Sequence, residues 1–207
     1  SGAVGDMAAH IFDPAYYARD LRVPLSVRAE VKTPAFPGSL PRSGVITYEF
    51  AARGQMPPVT MKYYLGDDIE FPRPRDLEPE RRGIDSGSVL VGEHASIMAG
   101  SHSQGGRIIP ETAMKETPRP PEVAFRCKAG NHFDNWTWAI KGEDTAMSSF
   151  EYAGPLSEII VLGDIALLHP GRTLLWDAEK MKITNDEEAD KSLFMRRLVP
   201  RDDMNWC

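Results

Sequence analysis

The residues best suited to chemistry stand near the start of the chain, in Gly5-Asp-Met-Ala-Ala-His10-Ile-Phe-Asp13. Asp6 and His10 are four apart, so on a helix they share a face and can share a proton or converge on one ligand. A carboxylate beside an imidazole orients the ring and raises its basicity, which suits a histidine that moves protons near neutral pH. Asp and His also ligate zinc and manganese, so Asp6, His10 and Asp13 are equally candidate metal ligands. Spacing alone also accommodates a helix cap at Asp6 with a satisfied, partly buried His10, and that is the commoner use of such a pair. Asp13, directly before Pro14, carries the signature of a cap that starts a new helical turn.

The other histidines are scattered. His94 and His102 lie in a Gly- and Ser-rich stretch that could line a pocket, although polar loop residues are usually only solvated. His132 follows an N-cap and His169 closes a helix, where it favours the dipole; both read as structural. Gly100-Ser-His-Ser-Gln-Gly105 does not match the Gly-x-Ser-x-Gly elbow of a serine hydrolase. Gly105-Gly106 lacks the strand before it and the Gly-Lys-Ser/Thr after it that a phosphate loop needs. Trp136, Trp138, Tyr16, Tyr17, Tyr63 and Tyr64 could stack on a sugar ring, with core packing the commoner role for helix tryptophans.

These residues must be positioned by a chain of 207 residues, which suits one sizeable domain. Its net charge of -6 supplies no attraction to nucleic acid or to an anionic membrane, and neither is expected as a partner. Two cysteines, Cys127 and Cys207, make no disulfide framework and no C-x-x-C pair. The longest oily stretch, Glu158 to Leu168, is interrupted by Gly163 and Asp164 and falls short of the roughly 20 residues a membrane helix needs. The opening Ser-Gly-Ala-Val-Gly-Asp has no initiator Met and no leader, so the chain reads as a fragment that starts inside a longer protein.

Twelve of the 17 prolines lie between Pro34 and Pro121, in clusters that must separate strands because proline cannot donate to a ladder. Between them Leu25–Val31, Val45–Phe50, Val59–Leu65, Ser88–Gly92, Ser96–Ala99 and Arg107–Ile109 have strand patterns, with Glu93-His-Ala95 as a hairpin connection. No helix intervenes, so an antiparallel meander is expected. The ends are helical: Asp6 to Asp20, kinked or restarted at Pro14; Phe133 to Lys141, capped by Asn131; and Glu151 to Leu168, stopped by His169-Pro-Gly171. Leu174-Leu-Trp176 is a brief strand, Asp177 caps a turn through Met181, and Asn185 or Asp186 caps a last helix through Arg197. The order predicts an α+β fold: an open, mostly antiparallel sheet with helices from both chain ends packed on one face.

Several segments together resemble a known family. Gly5-Asp6-x-x-x-His10-x-x-Asp13-Pro14, the following aromatic pair and Leu21-Arg-Val-Pro-Leu-Ser-Val-Arg-Ala-Glu30 are similar to the start of the C-terminal domain of the Gfo/Idh/MocA oxidoreductases, the glucose-fructose oxidoreductase and inositol dehydrogenase family. Phe150-Glu-Tyr-Ala-Gly-Pro-Leu-Ser-Glu158, Leu175-Trp-Asp-Ala-Glu-Lys-Met-Lys-Ile-Thr-Asn185 and the closing Ala-Asp-Lys-Ser-Leu193 resemble the tail of its bacterial subgroup. The resemblance implies that residues 1–207 are a single substrate-binding and oligomerisation domain, whose N-terminal Rossmann domain, with its NAD or NADP, is absent from this chain. It implies oxidation of a sugar or cyclitol hydroxyl, with His10 as proton acceptor, Asp6 orienting it, and Asp6, His10, Asp13 and Tyr17 contacting substrate. It implies no metal, no cofactor on this chain, and a homo-oligomer formed through the open sheet face. A cytoplasmic location is favoured, with export left open. The chain departs from the family pattern in having no dinucleotide fingerprint and no Glu-Lys-Pro motif, and in placing Asp190 where Asn is common, so alone it is expected to be inactive. The alternative is a non-catalytic or metal-assisted carbohydrate-binding domain with Asp6, His10 and Asp13 as ligands.

Overall fold

The computed structural model describes residues 2–36, 39–122, 127–128 and 130–193. The fold is α+β, with helices and two antiparallel sheets. Pro37, Cys207 and the part of the last helix expected over 194–197 lie outside the described residues. The chain divides into two compact units: the described residues of Ser1–Ala9, Tyr16–Pro72 and Ile159–Cys207, and those of His10–Ala15 and Arg73–Glu158.

The first unit is built on a five-stranded sheet of β1 (Ser26–Thr33), β2 (Ser43–Phe50), β3 (Val59–Leu65), β7 (Thr173–Asp177) and β8 (Lys182–Ile183), in the order β3-β2-β1-β7-β8. Period-2 alternation puts Val27, Ala29, Ile46, Tyr48, Phe50, Tyr63, Leu65, Leu174 and Trp176 on the buried side. Val27 stands opposite Tyr48 on one side and Leu174 on the other. Leu25, expected on that apolar face, is exposed, although its N–H still donates to the Glu49 carbonyl and its carbonyl accepts from the Trp176 N–H.

The second half of helix α4 (Phe150–Leu168) covers this sheet directly: a Cβ on Gly163 would stand 2.1 Å from the Tyr48 hydroxyl and 3.4 Å from Ile46 Cδ1. Ile159, Leu162, Ala166 and Leu167 of the same helix are almost wholly buried. After β8, helix α5 (Glu187–Ser192) is capped by Asp186, whose carboxylate accepts from the Ala189 N–H. Asn185 does not cap. Its amide accepts from the Leu175 N–H and donates to the Thr173 carbonyl, which ties it to β7. Asp190 accepts from the Ile183 N–H, a bond an asparagine carbonyl would make as well.

The second unit carries β4 (Gly87–Val91), β5 (Ser96–Gly100) and β6 (Arg107–Ile109) as a separate three-stranded sheet over Leu77, Met98 and Ile109. This corrects the expectation of one continuous meander. The proline-rich run 66–86 ends the first sheet at β3, and the free edge of β1 is taken by β7 from the far end of the chain. Short helix α2 (Glu111–Glu116), with no apolar stripe to betray it, follows β6.

Helix α3 (His132–Ile140) has its expected cap, Asn131 accepting from the Asp134 N–H. Its burial, however, is inverted. Phe133, Trp136 and Ile140 are each about two-thirds exposed, against the expectation of core packing, whereas Asn135 is buried. Asn135 donates to the Asp144 carboxylate and the Thr145 carbonyl and accepts from the Met147 N–H, so hydrogen bonds to the following loop anchor this helix.

Candidate functional site

Helix α1 (Gly2–Ala18) runs unbroken past Pro14. Asp6 therefore lies inside the helix, not at its cap, and Asp13 does not start a new turn. Pro14 has no N–H to give the His10 carbonyl four residues back, and the helix tolerates the gap. The helix stops in a Schellman arrangement, Leu21 N–H to the Tyr16 carbonyl and Asp20 N–H to the Tyr17 carbonyl, with Asp20 at φ 45°.

At about 100° per residue, Asp6, His10, Asp13 and Tyr17 fall within roughly 60° of arc and form one stripe. Val4, Ala8, Phe12 and Tyr16 form the opposite, buried stripe. Asp6, His10 and Tyr17 are exposed and Asp13 is half-buried. The partly buried His10 of the alternative reading is not found. A helix with one apolar stripe must turn its other side outward, and here that side carries every candidate residue.

In the first unit, an open cleft of about 560 Å³ is lined by Ala3, Thr33, Arg42, Tyr63, Tyr64 and the 65–68 turn. Tyr63 connects this cleft to Asp6: burial, and then the nearby Asp6 carboxylate, push its phenol above the ordinary value. Across the turn, Thr33 donates to Asp68, and hydrogen bonds from Ser43 and Thr33 hold that carboxylate below the usual range. Deeper in the same unit, burial pushes Asp164 up to about 6, and one of its oxygens is buried with no hydrogen-bond partner. Tyr48 is raised far above an ordinary phenol, first by burial and then by the charges of Asp164 and Tyr63.

In the second unit, the His10 ring meets the His102 ring at 4.7 Å between centroids. The Tyr152 hydroxyl donates to the Asp13 carboxylate. Tyr152 belongs to the Phe150-Glu-Tyr-Ala-Gly-Pro segment, so two of the segments that carry the family resemblance, 139 positions apart, touch through these side chains. His94 sits exposed at the β4–β5 hairpin and His132 packs on Phe133. His169 is buried, with Nε2 2.9 Å from the Ser192 hydroxyl.

No protein-family model matches the chain, and no curated protein matches it.

Among the described residues, no three of His, Cys, Asp and Glu are grouped so as to hold a metal ion. Asp6, His10 and Asp13 thus share a helix face without forming a three-ligand cage. Tyr152 and Asp164 were not among the candidate residues of the sequence, and His102 was a possible pocket residue with no link to His10. His102 and Tyr152 reach the stripe only through tertiary folding, whereas Asp164 left one trace, a charge interrupting the longest oily run.

Proposed function

We propose that this chain is the C-terminal, substrate-binding half of an NAD(P)-dependent oxidoreductase of the Gfo/Idh/MocA type, acting on a hydroxyl of a sugar or cyclitol. The observation that carries the proposal is the outward stripe of α1, on which His10 is solvent-exposed with Asp6 one turn before it. Oxidising an alcohol to a carbonyl requires a base for the hydroxyl proton, and an accessible imidazole with a carboxylate neighbour is suited to that step. His10 takes the proton and Asp6 orients the ring. Asp13, fixed by Tyr152, and the exposed Tyr17 offer an acceptor and an aromatic face to a polyol.

The proposal does not seat a dinucleotide on the Gly105-Gly106 pair. Gly105 and Gly106 lie between two antiparallel strands, not at a strand-to-helix turn whose N–H groups could cradle a pyrophosphate. In this proposal the cofactor is held by the N-terminal half, and the chain alone is inactive. The proposal also has the protein work in the cytoplasm and self-associate through the uncovered face of the five-stranded sheet.

The test uses the chain joined to its dinucleotide-binding half. His10→Ala should lower kcat by roughly 10²- to 10⁴-fold, the usual range for loss of a general base, while NAD(P) affinity changes by less than about threefold. Turnover at the unsubstituted level would overturn the assignment.

A further inference from the structure

We infer that His10 and His102 form a two-imidazole site for a first-row transition-metal ion, a property that stands whether or not the proposed dehydrogenation is correct. Both rings are exposed, one on α1 and the other in the β5–β6 connection, and their planes are inclined by 40° with centroids 4.7 Å apart. Two imidazoles in neighbouring positions on one metal, with metal–nitrogen bonds of about 2.1 Å, have ring centres about 3.2 Å from the ion, which separates them by about 4.5 Å at 90° and about 5.2 Å at 109°. The observed separation lies between these values.

A second observation concerns His102 itself. Ser101 Oγ lies 3.2 Å from its Nδ1. In the tautomer that donates Nδ1–H to this hydroxyl, the lone pair sits on Nε2, the arrangement in which an outer hydrogen bond holds a metal-ligating histidine.

The loop is also set before any ion arrives. Gly100 N–H donates to the Gln104 carbonyl, Ser103 N–H to the Gly100 carbonyl and His102 N–H to Gln104 Oε1. The Gln104 side chain occupies the space a Cβ at residue 100 would need, within 2.5 Å, so only glycine leaves that clamp undisturbed. Little ordering entropy is then charged against binding.

No third side chain of His, Cys, Asp or Glu completes the group among the described residues, so water or an added ligand fills the remaining positions. A nitrogen-only pair selects nickel, copper or zinc over magnesium and calcium, which prefer oxygen. The bound ion would occupy the His10 lone pair needed for proton transfer, so metal loading and the proposed base role exclude one another.

Calorimetric titration of the chain with Ni²⁺ should show one ion per chain. His10→Gln and His102→Gln should each weaken binding at least about tenfold, with circular dichroism unchanged, because each removes one of two protein ligands. Unchanged affinity in both folded variants would overturn the inference. Should a substitution disturb folding, paramagnetic broadening of imidazole resonances by Ni²⁺ in the unsubstituted protein decides: broadening first at His10 and His102 supports the site, and broadening first at other histidines overturns it.

Discussion

Asp164 is held where its charge is disfavoured. Burial raises its pKa to about 6, against 3.8 for an ordinary aspartate. Between those values the folded chain keeps a proton that the unfolded chain releases, so this residue's contribution to stability declines as pH rises from about 4 to about 6. Above that window the partly desolvated carboxylate opposes folding, by roughly 1 to 2 kcal/mol once its half-exposure is allowed for. Asp164→Asn should therefore raise the melting temperature at pH 8 by about 2 to 8 °C, with the gain vanishing near pH 4 where the native aspartate is itself neutral. Thermal unfolding across that range checks this, and a variant less stable than the parent at pH 8 would contradict it. A buried titratable group with a shifted pKa is also a common mark of functional sites. Asp164 adjoins Tyr48, and Tyr48 feels Tyr63, which in turn feels Asp6.

Helix α4 approaches β2 as closely as it does because position 163 has no side chain. Gly163→Ala would place a methyl group 2.1 Å from the Tyr48 hydroxyl, which is fully buried and has little room to retreat. Overpacking of this kind costs roughly 1 to 3 kcal/mol, or a fall of about 2 to 12 °C in Tm for a chain of this size. Combining it with Tyr48→Phe removes the clashing oxygen and leaves the ring carbon at 3.3 Å, so the double variant should recover most of the loss relative to Tyr48→Phe alone. Additive penalties would show that the helix moves away instead. The pattern of Glu151–Leu168 made this helix legible in the sequence, and so did the Asn131 cap of α3. What each buries was less legible: Phe133, Trp136 and Ile140 look like core by composition and are exposed, because Asn135 anchors α3 through polar bonds.

For the whole molecule, the face of the five-stranded sheet turned away from Tyr48 and Ile46 carries Arg28, Glu30, Lys32, Glu49 and Lys62. Charges of both signs interspersed on one surface allow pairing with a second copy about a two-fold axis, and exposed pairs of this kind are screened by salt. Self-association through this face, part of the proposed function, should accordingly appear in sedimentation velocity at roughly 200 µM chain and low ionic strength and weaken at about 0.5 M salt. A chain that stays monomeric under the first condition would count against that interface. Among the described residues, no helix is long and apolar enough to cross a membrane, as the interrupted run at Gly163 and Asp164 led one to expect.

Local pattern was sufficient for the α+β class, for most of the strands, for two caps and for the Asp6–His10 spacing, because alternation, helical periodicity and capping act between residues a few positions apart. It could not show that β1 takes β7 as its second neighbour, that β4 to β6 form a sheet of their own, or that α1 passes Pro14 without breaking. Nor could it bring His102 to His10 or Tyr152 to Asp13. Those contacts join residues 92 and 139 positions apart. Which distant segments meet is decided by how whole sheets and helices bury their apolar faces, and only the tertiary structure contains that choice.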